Sequence, residues 1–188
     1  MRKNLPKKGF TLVELLVVMS IIGVLAAMLY GGFFTSRTRG RDAARKQHLK
    51  ELANALEMFY DDYEQYPPVS GGLISACPYN STTQTGSPCD WGATLSFADD
   101  KGTVYMRQIP IDPVSSSRNY YYRVVGTSRQ AFQLYSHLEN TEDINCIGGQ
   151  ANCGVDQLNL TPDPNCGTSL FCNYAVTSAN IAPTDDTL

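Results

Sequence analysis

An uncharged run near the N-terminus is the feature that most constrains this chain. Residues 15–34 contain no Asp, Glu, Lys or Arg, and as an α-helix they would rise about 30 Å, the thickness of a bilayer's hydrocarbon core. A secretory signal peptide has a shorter apolar region, of about 7–15 residues, which ends in a small-x-small cleavage site. We therefore interpret residues 10–34 as a transmembrane helix. Glu14 stands near its start, although membrane segments normally exclude carboxylates.

A second helical segment follows the apolar run. Residues 41–63 lack Gly and Pro, and apolar side chains recur there at steps of three and four, which places them on one face of a helix. These side chains are Leu49, Leu52, Leu56, Phe59 and Tyr63. We expect residues 35–66 to continue the first helix and to pack this stripe on a globular domain. Gly31 and Gly32 weaken the helix where the two segments meet, and would bend or locally melt it there. Pro67 ends the helix.

Charge is distributed unevenly along the chain. Residues 1–9 carry four basic residues and no acid. Without them the formal net charge changes from −3 to −7, which disfavours binding to nucleic acid, since phosphate backbones need clustered Lys and Arg. Basic residues also follow the apolar run, so the positive-inside rule alone does not orient the helix.

The cysteines decide the orientation. All six lie C-terminal to the helical segments, in stretches rich in Gly, Ser, Asn and Thr, and an even number in such a region predicts disulfides formed outside the cytoplasm. They are Cys77, Cys89, Cys146, Cys153, Cys166 and Cys172. No C-x-x-C occurs and the two histidines, His48 and His137, are distant in sequence, which favours disulfides over a zinc site. Of the fifteen connectivities that six cysteines allow, we take the short-range one (77–89, 146–153, 166–172) as a working hypothesis.

Strand signals occur in three places within residues 67–188, the predicted extracytoplasmic domain. Segments 103–109, 119–125 and 130–138 are rich in β-branched and aromatic residues, and a hairpin-length connection separates the last two. We predict an α+β fold in which the long N-terminal helix, transmembrane and then amphipathic, packs on a small antiparallel sheet of three or four strands. Residues 69–102 and 140–188 are predicted to be disulfide-stapled loops.

The sequence pattern gives little support for a metal site or for a catalytic site. Seven aspartates in turn-like stretches could supply oxygen ligands to calcium, but no EF-hand pattern is present and turns favour Asp in any case, so we assign no metal. These are Asp99, Asp100, Asp112, Asp156, Asp163, Asp185 and Asp186. His48 and His137 lack the pattern of a nucleophile, a base and an orienting group. An enzyme is not predicted.

The start of the apolar run resembles a known processing signal. Lys8-Gly9-Phe10-Thr11-Leu12-Val13-Glu14, after a short basic leader, resembles the class III signal of type IV pilins and type II secretion pseudopilins. The resemblance implies that a prepilin peptidase removes residues 1–9 by cutting between Gly9 and Phe10, and then N-methylates Phe10. It also implies that Glu14 supports filament assembly by meeting the terminal amine of a neighbouring subunit. The alternative, an incidental glutamate at the membrane boundary, fits poorly with the free-energy cost of an intramembrane acid.

Likeness to this family extends beyond the signal. Residues 45–68 and 103–139 resemble corresponding parts of major pseudopilins, and Gly23 matches a helix-softening glycine, whereas Gly31 stands where many members have proline. The resemblance implies a single-pass precursor in the inner membrane, with its C-terminal domain outside. It further implies assembly by an inner-membrane platform into a filament of identical subunits.

Two kinds of filament remain open. The cysteine-bearing loops favour an extracellular type IV pilus, because an exposed fibre benefits from covalent staples. The Pro-x-Asp-Pro turn at 110–113 favours the major pseudopilin of a type II secretion system, which forms a periplasmic filament and, in that family, binds calcium near its C-terminal loop. We favour the pilus.

Overall fold

The structure is a computed structural model that describes residues 9–153, 164–167 and 170–185, without the side chains of 28–35, Asn152 and Leu170. The chain divides into two compact units, Met1–Thr38 and Arg39–Leu188. We describe each unit by itself.

A single helix, α1, runs from Leu12 to Tyr63. It ends at Glu64, whose φ of +54° is left-handed and whose N–H donates to the carbonyl of Tyr60 at 2.7 Å, as in a common C-terminal cap. The helix therefore stops three residues short of the predicted boundary at 66. This turn ends α1 before the prolines are reached.

The backbone of α1 is helical at every glycine that was expected to weaken it. Gly23, Gly31 and Gly32 all lie inside the helix, so the flexibility assigned to them stays a prediction. Within the residues whose side chains are described, no helix is long and apolar enough to cross a membrane. The predicted transmembrane segment, 10–34, includes residues 28–34, whose side chains lie outside that part, and it too stays a prediction.

Short antiparallel strands make up much of the second unit. In its described part, one sheet has the order β1-β2-β3, a second has the order β10-β7-β6, and two pairs are β4-β5 and β8-β9. The strands are β1 (Val69–Ser70), β2 (Leu73–Asn80), β3 (Thr85–Pro88), β4 (Phe97–Ala98), β5 (Val104–Met106), β6 (Tyr121–Val125), β7 (Ala131–Ser136), β8 (Asn165–Gly167), β9 (Leu170–Phe171) and β10 (Tyr174–Thr177). A 3-10 turn spans Gln150–Asn152.

The predicted hairpin is confirmed, while two other expectations need correction. Strands β6 and β7 pair antiparallel from Tyr121↔Tyr135 to Val125↔Ala131. The third strand of this sheet is β10, whereas the segment predicted at 103–109 pairs with β4 in a separate ribbon. The stretches predicted to be loops contain β1–β4 and β8–β10. Their composition hides these strands, because their Gly, Ser and Asn residues lack the usual strand pattern.

The apolar stripe of α1 forms the core of the second unit, as predicted. Leu49, Leu52, Leu56 and Phe59 are fully buried and pack on side chains of both three-stranded sheets. The Phe59 ring lies 4.6–5.6 Å, centroid to centroid, from four other aromatic rings. Burial of an aromatic side chain of this kind contributes about 1.5–3 kcal/mol, so the stripe accounts for a large share of the domain's stability.

Strand β7 is buried on both faces. The C-terminal segment covers the second face: Gln133 Nε2 donates to the carbonyls of Ala182 and Asp185 at 2.8 and 2.9 Å. The hydroxyl of Tyr135 donates to the carbonyl of Pro183 at 2.8 Å. These polar side chains are buried because the chain that covers them supplies carbonyl acceptors.

Candidate processing and assembly site

The first turn of α1 brings together two of the residues singled out in the sequence. The N–H and the hydroxyl of Thr11 donate to Oε2 of Glu14 at 2.9 and 2.8 Å, and the Glu14 N–H lies 3.2 Å from the Thr11 hydroxyl oxygen, which accepts from it. This reciprocal pair is a capping box. It satisfies N–H groups that every helix start leaves unpaired. The signature T-x-x-E is present in the sequence, where Glu14 was interpreted only as an assembly residue.

The surface that follows this turn is apolar and uncovered. Phe10 is 84% exposed, and a Cβ added at Gly9 would meet no atom of the described residues within 4 Å, so no described residue covers Gly9 at that position. Further large apolar side chains of the first unit are exposed: Leu12, Val13, Leu15, Leu16, Val17, Val18, Met19, Ile21, Ile22, Val24 and Leu25. A helix that is apolar on all sides needs an apolar surrounding, either lipid or packed protein.

A buried group of charges in the second unit was not expected from the sequence. The guanidinium of Arg45 has no exposed surface and contacts three carboxylates, each at 2.7 Å: Asp42, Asp112 and Glu139. These four residues are called the Arg45 cluster below. Buried charges are stable only when they are paired and hydrogen-bonded, and this guanidinium meets that condition.

The Arg45 cluster joins α1 to two distant parts of the chain. Asp42 accepts hydrogen bonds from the backbone N–H groups of Glu139 and Asn140 at 2.8–3.1 Å, and Asp112 accepts from the N–H of Val114 at 2.7 Å. A sequence signal was available, because Arg45 lies four residues before Leu49 and so continues the apolar stripe towards the N-terminus. Its charge was interpreted only as one of the basic residues that follow the apolar run.

Three disulfides staple the loops of the second unit. They join Cys77 to Cys89, Cys146 to Cys153 and Cys166 to Cys172, with Cα–Cα distances of 5.2–5.5 Å. These are the short-range pairs of the working hypothesis. Each closes a loop within one region of the domain.

Comparison with known proteins places the N-terminal segment in a family. Residues 5–30 match the prokaryotic N-terminal methylation motif. The chain is 29% identical to the type II secretion system core protein G of Pseudomonas aeruginosa over 130 residues, 69% of this chain and 82% of that protein. It is 32% identical to the type IV wide pilus major component PilA4 of Thermus thermophilus over 107 residues, 55% of this chain and 82% of that protein. The chain belongs to the type IV pilin and pseudopilin family.

A further relative of this pilin-family protein is the type II secretion system core protein G of Klebsiella pneumoniae. The two are 33% identical over 110 residues, 58% of this chain and 71% of that protein. No solved structure matches the chain. The predicted α+β, pilin-like fold class is confirmed by the long N-terminal helix, the antiparallel sheets and the disulfides.

The two histidines of this pilin-family protein lie in separate environments. His48 Nδ1 is 2.7 Å from the hydroxyl oxygen of Tyr120, and His137 Nδ1 is 2.7 Å from the carbonyl oxygen of Phe171. Burial lowers the pKa of His137, which favours its neutral form. The two rings therefore have different partners and form no shared catalytic group.

All four of the described aspartates considered for calcium accept hydrogen bonds from the protein: Asp99, Asp100, Asp112 and Asp185. Asp112 belongs to the Arg45 cluster, and Asp99 accepts a hydrogen bond from the hydroxyl of Tyr63 at 2.7 Å. In the described ranges no group of three or more His, Cys, Asp and Glu side chains is arranged to hold a metal ion. Asp156, Asp163 and Asp186 lie outside those ranges.

Glu139 makes the folded second unit sensitive to acid. A hydrogen bond from Arg41, helped by one from Arg45 and opposed by burial, lowers the pKa of Glu139 from 4.5 to about 2. A carboxyl group with a lowered pKa in the folded state contributes stability above its unfolded pKa and loses it as the pH falls through the folded value. We expect the free energy of unfolding to fall by on the order of 2 kcal/mol from this group between about pH 5 and pH 2.

Denaturant unfolding at several pH values tests this expectation. In Glu139→Gln the loss of stability over that pH range should be smaller, because the titrating group is absent. An identical pH dependence in wild type and Glu139→Gln would contradict it.

Proposed function

We propose that this chain is a structural subunit of a type IV pilus-like filament, assembled through its N-terminal apolar helix after cleavage and N-methylation by a prepilin peptidase. The observation that carries the proposal is the exposed apolar surface that begins at the Gly9–Phe10 bond and continues along α1. Exposed apolar surface costs about 25 cal/mol per Å² relative to burial. A bilayer and a bundle of identical helices both remove that cost.

Cleavage after Gly9 creates the charge that Glu14 is suited to meet. The new α-ammonium at Phe10 becomes buried in a packed bundle, where an unpaired charge costs several kcal/mol. In the described part of the chain, Oε2 of Glu14 takes both hydrogen bonds from Thr11, which leaves Oε1 available. One oxygen of the carboxylate then caps its own helix while the other pairs with the ammonium of a neighbouring subunit.

The same proposal gives the chain a route to the filament. The precursor sits in the inner membrane through residues 10–34, and the disulfide-bonded second unit lies outside, where cysteines oxidise. Its partners are the prepilin peptidase, the inner-membrane assembly platform and other copies of the chain. The filament is extracellular, as a pilus is.

The major pseudopilin of a type II secretion system is the second candidate. The name of the Pseudomonas aeruginosa relative, which aligns with 69% of this chain, favours it. Deleting the gene and imaging the cells by electron microscopy separates the two functions. Loss of surface fibres supports the pilus, whereas intact fibres with retained exoproteins in the periplasm support the pseudopilin.

Replacement of Gly9 tests the processing step. We expect Gly9→Val to stay uncleaved, because the peptidases of this family require glycine before the cut. Among the described residues no atom lies within 4 Å of a Cβ added at Gly9, so we expect the substitution to leave the described fold unstrained and to report on cleavage. Mass spectrometry of the N-terminus should find methylated Phe10 in wild type and the full leader in the variant.

Gly23→Val provides the matched control for this experiment. Gly23 has equally open surroundings but lies away from the cut, so its variant should be cleaved and methylated normally. Normal cleavage before Phe10 in Gly9→Val would show that the processing assignment is wrong.

A further inference from the structure

A polar groove on the second unit has the construction of a ligand site. It has a volume of about 690 Å³, within the range of about 300–1,000 Å³ that small-molecule sites occupy. Its walls come from the β1–β2 turn, the segment after Cys89, residues 115–121 and β8. The groove adjoins the Arg45 cluster through the ion pair of Arg118 with Glu139, but none of the four residues of the cluster lines it.

The disulfides and local packing hold the walls of this groove in place. Cys89 is bonded to Cys77, and the Trp91 ring beyond it meets Tyr120 edge-on at 5.6 Å. The N–H of another lining residue, Asn119, donates to the carbonyl of Cys166 at 2.7 Å, and Cys166 is itself in a disulfide. A site fixed in this way loses little conformational entropy when a ligand binds.

A glycine in the β1–β2 turn makes room for the ring of Tyr121, which lines the groove. Gly72 has a φ of +83°, and a Cβ at that position would lie 2.6 Å from the Tyr121 ring. Only glycine therefore lets the Tyr121 ring lie against the turn, where it lines the groove. The groove thus has two aromatic walls, Trp91 and Tyr121, both half-buried.

The remaining lining groups are hydrogen-bonding groups of mixed kind. Asp90 offers a carboxylate, Asn119 an amide and serines 115–117 hydroxyls. The guanidinium of Arg118 also lines the groove, but it is paired with Glu139 at 3.0 Å. Within the part of the chain that the structure describes, the side chains of Asp90, Trp91 and Asn119 make no hydrogen bond to another residue. They are therefore available to a ligand.

This combination selects one chemical class. An apolar ligand would leave the polar groups unpaired, which costs about 1–3 kcal/mol for each buried group. A polyanion would meet the carboxylate of Asp90, and the single guanidinium of Arg118 is too little basic charge for a phosphate backbone. A sugar ring has an apolar C–H face suited to an aromatic wall and hydroxyls suited to the carboxylate of Asp90, the amide of Asn119 and the serine hydroxyls. We propose that this groove binds neutral oligosaccharides.

Tryptophan fluorescence tests the proposal directly, since Trp91 is the only tryptophan of the chain. The full chain is purified in a zwitterionic detergent, which avoids sugar headgroups, and titrated with separate tetrasaccharides of glucose, galactose, mannose and N-acetylglucosamine. We expect at least one of them to change the emission saturably, with a Kd of about 1 mM or below. No change with any of the four up to about 10 mM would overturn the proposal.

Two variants and a matched control assign the binding to the groove. We expect at least tenfold weaker binding in each of two groove variants, Asp90→Asn and Asn119→Ala, which is a loss of about 1.4 kcal/mol in binding free energy. The control variant Asp61→Asn, on the exposed face of α1, should bind as wild type does. Near-UV circular dichroism confirms that each variant is folded. Wild-type affinity in both groove variants, or binding of sulfated tetrasaccharides alone, would overturn the proposal. The experiment needs no filament, so its result is independent of the proposed function.

Discussion

Replacing Arg45 with methionine should lower the free energy of unfolding of the second unit by about 3–5 kcal/mol, the cost of leaving buried charges without their partner. Three carboxylates contact the fully buried guanidinium at 2.7 Å, and methionine fills a similar length of side chain without a charge. Asp42 and Asp112 are themselves buried, so they cannot recover the lost interaction from water. Denaturant unfolding followed by near-UV circular dichroism measures the change.

Arg41→Met is the matched control for that experiment. Arg41 also pairs with Glu139, but 30% of its side chain is exposed, and pairs in contact with solvent contribute about 0–1 kcal/mol. The control should therefore lose about 1 kcal/mol or less. Equal stability of Arg45→Met and Arg41→Met would show that the Arg45 cluster does not hold the unit together.

Replacing Glu14 should strongly reduce the number of filaments, and two different substitutions separate its two roles. Glu14→Ala removes both the cap and the charge, whereas Glu14→Gln keeps an acceptor for the Thr11 N–H, since Gln also serves in capping boxes. If the charge pairs with the ammonium of Phe10 on a neighbouring subunit, both variants should yield at least tenfold fewer filaments by electron microscopy. A tenfold decrease corresponds to a loss of about 1.4 kcal/mol in the free energy of assembly.

Thr11→Ala completes this set. It removes the hydroxyl that bonds Glu14 at 2.8 Å but leaves the carboxylate, so its filaments should be close to wild type in number. Mass spectrometry must first show that every variant is cleaved and methylated. Normal assembly of Glu14→Gln would contradict the charge-pairing role and leave only the cap.

The helical part of the fold was predictable because its pattern is local. Leu49, Leu52, Leu56 and Phe59 repeat at helical spacing, and all four are buried as that spacing requires. The β6–β7 hairpin was predictable for the same reason, since aromatic and β-branched runs flank a short polar connection. In both cases residues close in sequence determine the structure.

The parts that were missed depend on contacts between distant residues. Strand β2 is paired with β3 and tied to it through Cys77–Cys89, yet its composition resembles a loop. Arg45 meets Asp112 and Glu139, 67 and 94 positions away in the sequence, so its burial cannot be read from its neighbours. The groove likewise combines four separate segments. The capping box at the start of α1 differs from these features, because Thr11 and Glu14 are close in sequence. Its T-x-x-E signature could have been recognised.

The placement of the disulfides determines how the second unit would respond to tension. Their sequence separations are only 12, 7 and 6 residues, and α1 contains no cysteine. The staples limit how far the outer loops can stretch, but they form no covalent link between α1 and the sheets. A force that pulls on α1 is therefore resisted by the apolar stripe and the Arg45 cluster. Under load we expect the helix to slide from the sheets before any stapled loop extends.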